Sequence, residues 1–249
     1  MKKFLYIFVF LFLVSCDTES GWDCIQTAGN TIQRTIEVEP FEKILVNRDV
    51  ELILKEGVDF EVLVQTGENL IGDVEVKVVN NRLELSDNNT CNYVRDYGVT
   101  KIYVTAPNIT EIRNSSQFEI SSEGVLNYPE LRLLSEDFIE SGSFTVGDFR
   151  LEVNTNQLRV TANSISTYYI SGQTNNLYVG FFAGEGRFEG ANLIAQNVTV
   201  YHRGSNDMIV NPQQSLSGEM VGTGDLISVV TPPNVDVEVL YTGNLIFLD

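Results

Sequence analysis

Histidine is almost absent from this chain of 249 residues: His202 stands alone. That excludes a multi-histidine metal centre and any catalytic machinery built on two imidazoles. Basic residues are scarce as well, 16 Lys and Arg against 34 Asp and Glu, for a formal charge of -18. A surface so acidic is repelled by phosphate backbones, which argues against a nucleic-acid partner. No glycine-rich phosphate loop and no nucleophile-elbow motif occurs. What is present, 43 % hydrophobic and 20 % charged, is the composition of a folded body rather than a disordered one. The length suits one large domain or two small ones.

The first sixteen residues read as an address. Lys2 and Lys3 form a basic start, and Phe4 to Val14 is an unbroken apolar run. As helix that run spans about 16 Å, roughly half of a bilayer's hydrocarbon core, so it reads as a signal-peptide core and not as a membrane span. It ends in Leu13-Val14-Ser15-Cys16, which resembles a bacterial lipobox. The expectation is a signal peptide over 1–15 and a lipidated Cys16 that opens a tether over 16–24. Several acyl chains would then anchor the body, since one chain holds only marginally. Loss of Lys2 and Lys3 leaves that body more acidic still, so lipid and not headgroup attraction has to do the anchoring. The expected location is the outer membrane, on its periplasmic side or at the cell surface.

Cys24 and Cys91 remain after lipidation. In an oxidising compartment a bridge between them is the expected state, with free thiols the alternative. No metal ligands cluster near them in sequence.

The body of the chain alternates apolar and polar residues with period two, the mark of strands with one buried and one wet face. Val74-Glu75-Val76-Lys77-Val78 and Arg82-Leu83-Glu84-Leu85 flank Asn80-Asn81, a hairpin signal because Asn tolerates the left-handed turn conformation. Residues 129–140 carry a weak helical pattern through Leu131, Leu134 and Phe138. They fall, however, in phase with a repeat that favours strand-turn-strand. In that repeat a polar turn is followed by an apolar anchor: Phe118, Phe138, Leu158, Leu177, Phe188, Met208, Leu226 and Leu245. The step is about twenty residues, with one short interval between Leu177 and Phe188. Such a repeat, rich in strand and turn, predicts an all-β fold of the β-solenoid type, right-handed and parallel, in which stacked coils share one core. Residues 25–112 keep the alternation without the turns and read either as first coils or as an antiparallel cap over the solenoid end. Residues 113–249 are the repeat region of the same body.

A wider pattern now carries a resemblance. A polar tether leads to a Cys, then to Phe41-x-x-Ile44, Val50-x-Leu52, Val62-x-Val64 and Leu83-x-Leu85. A second Cys, then Ile102-x-Val104-Thr105-Ala106-Pro107-x-Ile109-x-x-Ile112 and recurring turns follow. This resembles the auto-transporter adhesin family with the head GIN domain, over roughly 34–249. The resemblance implies a β-helical fold and an envelope location. It adds little about activity.

Chemistry is sparse. Glu136 and Asp137 are adjacent and therefore poor acid/base partners on a strand; solvated turn carboxylates are expected. Asn206-Asp207 and Gly224-Asp225 fall at equivalent repeat positions, but without the nonapeptide calcium repeat no metal is assigned. His202, between Tyr201 and Arg203, is expected at the surface. No catalytic residue and no cofactor is assigned. The aromatic crowd of Tyr168, Tyr169, Tyr178, Phe181, Phe182, Phe188 and Tyr201 is more informative. Alternation buries Leu177, Val179 and Phe181 and turns Tyr178 and Phe182 outward. Tyr178, Phe182 and Tyr201 therefore form a candidate binding platform for an extracellular glycan or protein. The reading is a non-catalytic, adhesin-like binding module. A glycan-active β-helix enzyme and a structural envelope protein are the alternatives.

Overall fold

The computed structural model describes residues 23–89, 92–96, 98–138 and 143–248. The chain is all-β. Apart from one short 3-10 turn (Asp23–Ile25), the regular structure among the described residues is seventeen strands joined in one sheet that curls in a nearly barrel-like tube round a single hydrophobic core.

Nine strands make the first region: β1 (Thr31–Ile36), β2 (Lys43–Asn47), β3 (Val50–Glu56), β4 (Glu61–Gly67), β5 (Val74–Val79), β6 (Arg82–Asp87), β7 (Thr100–Ala106), β8 (Glu111–Ser115) and β9 (Ile120–Leu126). Eight make the second: β10 (Glu130–Ser135), β11 (Phe149–Ala162), β12 (Thr167–Phe181), β13 (Arg187–His202), β14 (Met208–Met220), β15 (Leu226–Ser228), β16 (Asn234–Val239) and β17 (Leu245–Phe247).

The first region mixes parallel and antiparallel pairing. Parallel pairs form the middle: β2 with β6 and β8, and β3 with β7 and β9. Antiparallel strands flank them, β4 between β1 and β7, and β5 against β6. The β5–β6 turn is the Asn80-Asn81 pair, with φ of 51° and 64°. Two successive positive φ values suit the right-handed strand twist, and Asn adopts them more readily than most residues.

The second region is parallel throughout, and β8–β10 and β9–β11 weld it to the first. Successive strands form rungs, and equivalent inward side chains pile into two columns. One runs Ile120, Phe149, Tyr168, Phe188, Met208, Leu226, Leu245. The other runs Leu131, Leu158, Leu177, Val198, Leu216, and ends laterally at Val235, which is exposed. The short interval between Leu177 and Phe188 is thereby explained: it crosses from the second column to the first and breaks no rung. The Phe149 and Tyr168 rings stack at 4.8 Å, nearly parallel at 8°. Truncating one such ring would cost about 3–5 kcal/mol, the transfer loss plus the void.

Residues 130–135 form a strand, as the repeat phase predicts, because Leu131 and Leu133 have lateral partners in Leu158 and Val160. Two anchors need correction. Phe138 lies beyond the end of β10 and is 61 % exposed. Phe118 is only half-buried, and Ile120 takes the column position opposite Phe149.

The rungs are not in perfect register. β9 and β11 slip between Arg150 and Glu152, β12 and β13 between Tyr169 and Gly172, and β13 and β14 between Glu189 and Ile194 and again between Ala195 and Asn197. Gly172 sits at such a slip with φ of 103°, and a Cβ there would meet the Val153 carbonyl oxygen at 2.0 Å. Only glycine allows this rung to approach the one before it.

Candidate binding surface

The aromatic crowd divides by strand phase. Tyr168 and Phe181 on β12 and Phe188 on β13 point inward and are fully buried. Tyr178, Phe182 and Tyr201 point outward and are half-buried. Two of the outward rings are in contact. Phe182 and Tyr201 lie at 5.0 Å, tilted by 30°, and Phe138 meets Phe182 edge-on at 5.9 Å. Gly180 pairs laterally with Tyr201, and an added Cβ there would fall 2.8 Å from the Tyr178 ring and 2.9 Å from the Phe182 ring. The missing side chain lets both rings close over bare backbone. Arg159, the lateral neighbour of Tyr178 on β11, holds its guanidinium 4.0 Å from the centre of that ring. A contact of this kind is worth about 0.5–1 kcal/mol at an exposed site. The three predicted platform residues thus share one face, and Phe138, expected as a core anchor, joins them.

Sequence reasoning missed the Arg–Tyr stacks. Arg159 over Tyr178 and Arg150 over Tyr169, the latter at 4.2 Å, each pair an Arg with a Tyr one rung on. Equal spacing of the two pairs was the available signal.

Two polar residues are not where the sequence put them. His202 is fully buried. Val198 and Val200 set an inward phase that His202 continues, opposite Phe181, whose ring it meets edge-on at 6.2 Å. The Gly204 N–H donates to its Nδ1 at 3.3 Å, and burial pushes the imidazole pKa below 6.5. Glu136 is likewise buried and is no solvated turn carboxylate. Arg113, itself buried on β8, donates to Glu136 Oε1 at 2.6 Å and to its carbonyl at 2.9 Å. The Phe138 N–H donates to Oε2 at 2.6 Å. This pair spans the weld between the two regions.

The other carboxylates singled out are occupied too. Asp207 accepts from Arg187 Nη1 at 2.9 Å, and Asp225 Oδ1 accepts from the backbone and side-chain amides of Asn244 at 2.8 and 3.0 Å. Among the described residues no three His, Cys, Asp or Glu side chains gather as a metal site would require. No helix among them is long and apolar enough to cross a membrane. Cys16 and Cys91 lie outside the described residues. Cys24 accepts a hydrogen bond at its carbonyl from the Tyr93 N–H at 2.9 Å.

Fold and surface together define an all-β protein that displays aromatic side chains on the outside of a sheet tube. The chain belongs to the family described as putative auto-transporter adhesin, head GIN domain, which matches residues 40–232. No curated protein matches it. Among solved structures it is similar to a putative adhesin from Bacteroides fragilis, at TM-score 0.79 and 19 % identity, over 90 % of this chain and 100 % of that one. It is also similar to a putative adhesin from Parabacteroides distasonis (TM-score 0.64, 12 % identity, 89 % and 99 % covered). A protein from the same organism titled a putative lipid binding protein matches at TM-score 0.59 and 15 % identity, with 89 % and 98 % covered. At these identities the likeness concerns the fold.

Proposed function

We propose that this chain is an exported, lipid-anchored binding module of the bacterial cell envelope, adhesin-like and non-catalytic. The body over 25–249 is a right-handed, parallel β-solenoid-like tube of about 20 residues per coil, with antiparallel strands flanking its first region. Residues 1–15 are its signal peptide, Cys16 carries the lipid, and 16–24 is the tether. A Cys24–Cys91 bridge staples the start of the body, supported by the Tyr93–Cys24 backbone bond two residues from Cys91. The observation that carries the functional reading is the contiguous outward patch of Tyr178, Phe182 and Tyr201, rings the two core columns leave outside. Aromatic side chains offer large, rigid contact area at low entropic cost, so a partner meets them favourably.

The test has two arms. Protease shaving of intact cells, with a periplasmic lipoprotein as control, should remove this protein and spare the control. If both survive until lysis, the adhesin reading fails. A Tyr178→Ala/Phe182→Ala/Tyr201→Ala variant should reach the envelope normally yet lose attachment of cells to glycan- and protein-coated surfaces. Undiminished attachment would remove the platform from the account.

A further inference from the structure

Three of the four register slips lie one above another; the fourth falls between Ala195 and Asn197. Arg150 pairs laterally with Tyr169, and Tyr169 with Glu189, so the residues at which the three slips begin form a single row across β11, β12 and β13. A bulge adds backbone on one strand and re-aims its neighbours' side chains; bulges gather next to functional sites. At these slips the lateral pairing of the rungs is interrupted. Two adjoining clefts lie here, of about 410 and 570 Å³, and Glu152 lines both. Tyr169 and Arg150 line the first; Asn127, Asn154 and Gln173 line the second.

The lining is arranged before any ligand arrives. The Tyr169 ring is 36 % exposed and is held by the Arg150 guanidinium at 4.2 Å, which Glu119 fixes in turn at 3.0 Å. The amides are chained across rungs: Asn154 donates to Asn127 and Gln173 donates to Asn154, each at 2.9 Å. Such a chain leaves donors and acceptors facing outward at the strand spacing of about 4.8 Å, close to the length of one sugar unit in an extended glycan. The Glu152 carboxylate is exposed, and no described cation holds it. It suits a pair of neighbouring hydroxyls, which donate to one carboxylate together.

The same observations disfavour other ligands. A peptide that adds a strand needs a free sheet edge, and β11, β12 and β13 are paired on both sides. An anionic polysaccharide would meet a chain of formal charge -18. We propose that the cleft over the stacked bulges is a binding subsite for an uncharged glycan. The glycan lies across the rungs of β9, β11, β12 and β13, with Tyr169 stacked on a sugar face and Glu152, Asn154 and Gln173 taking its hydroxyls. This site is separate from the Tyr178–Phe182–Tyr201 patch and does not rest on it.

The experiment is a calorimetric titration of the full chain in detergent with cello-, xylo-, manno- and malto-hexaose, and with a hexamer of galacturonate as the anionic control. The expected result is saturable binding of at least one neutral hexaose. Tyr169→Ala and Glu152→Gln should each weaken it at least tenfold with thermal melting unchanged. The proposal is overturned if no neutral hexaose binds, or if only the galacturonate does. It is equally overturned if binding survives both cleft variants, or if Tyr178→Ala alone abolishes it, which would move the glycan to the aromatic patch. New reducing ends after incubation would make the cleft a cleavage site and overturn it as a site of binding alone.

Discussion

From β2 to β9 the sheet joins segments far apart in sequence: the Lys101–Glu51 pair bridges 50 residues and Lys55–Glu123 bridges 68. From β11 onward the links across adjacent rungs span only 18 to 21, as in Thr155–Thr174, Asn176–Asn197 and Thr199–Ser217. The two regions bury the same kinds of residue in one continuous core. They differ in how much chain must be closed before contacts form. Longer closures cost little extra in stability, about 0.6 kcal/mol per doubling, but they slow folding. The second region can therefore assemble rung by rung, whereas the first must find distant partners. The weld of β8 and β9 onto β10 and β11 decides whether the molecule behaves as one unit.

The most damaging way to break this comparison is Leu151→Asp. It places a charge where the native side chain is 2 % exposed, inside β11 and next to the weld. Loss of several kcal/mol is expected, and the chain should be recovered only as aggregate. A soluble, cooperatively melting Leu151→Asp protein would show the inward phase of β11 to be wrong. Next comes Arg113→Met, which leaves Glu136 buried and unpaired at a cost of about 3–5 kcal/mol. Hydrogen exchange should then show the two regions losing protection separately, and Arg113→Met/Glu136→Leu should recover much of the loss. Simultaneous loss in the single variant would mean the weld does not govern cooperativity. Gly172→Ala should cost about 2 kcal/mol, since it forces an L-residue into a left-handed conformation against the Val153 carbonyl. Denaturant midpoints would read this, and an unchanged midpoint would mean the rung can back away freely.

His202 offers a milder, pH-dependent probe inside the second region. Its folded pKa lies below 6.5 because burial disfavours the imidazolium. The unfolded chain therefore binds the proton first as pH falls. Stability should be full above about pH 6.5 and should decline as pH drops from there towards the folded value. Since the chain has no other histidine, the melting-temperature difference between wild type and His202→Leu isolates this effect. A difference that stays constant between pH 7 and 5 would contradict it. Smallest of all, Tyr178→Ala should change stability by about 1 kcal/mol or less, moving Tm by a few degrees, because the ring lies outside the columns. A drop comparable with a core truncation would place Tyr178 among the core residues.

Much of the second region is legible in the sequence, because parallel rungs put equivalent residues at nearly constant spacing and alternation shows which face each takes. That is how 130–135 reads as strand and how Phe181 and Tyr178 go to opposite sides. In the first region the pairings of β2 with β8 and β3 with β9 both join residues 68 apart, too distant to leave a local trace. The Asn80-Asn81 hairpin is the exception, because its turn chemistry is local. Glu136 looks like a turn carboxylate because its partner, Arg113, is 23 residues away and on a different rung. His202 misleads because polar neighbours hide a phase that Val198 and Val200 had already set. The cleft could not be read at all, since a bulge adds a residue without marking it.

The stacked slips also bear on how such a chain tolerates changes in length. The steps between adjacent rungs are unequal, 19 residues from Thr155 to Thr174, 21 from Asn176 to Asn197 and 18 from Asn197 to Ser215. Both core columns nevertheless stay aligned, because the row of slips, with the further slip between Ala195 and Asn197, acts as an expansion joint. A one-residue insertion near Gly190 would be absorbed there, whereas the same insertion between Asn197 and His202 would turn the inward row to solvent. Descendants of such a chain can lengthen or trim their loops at the joint and so reshape the outer cleft, while the core passes from one generation to the next unaltered.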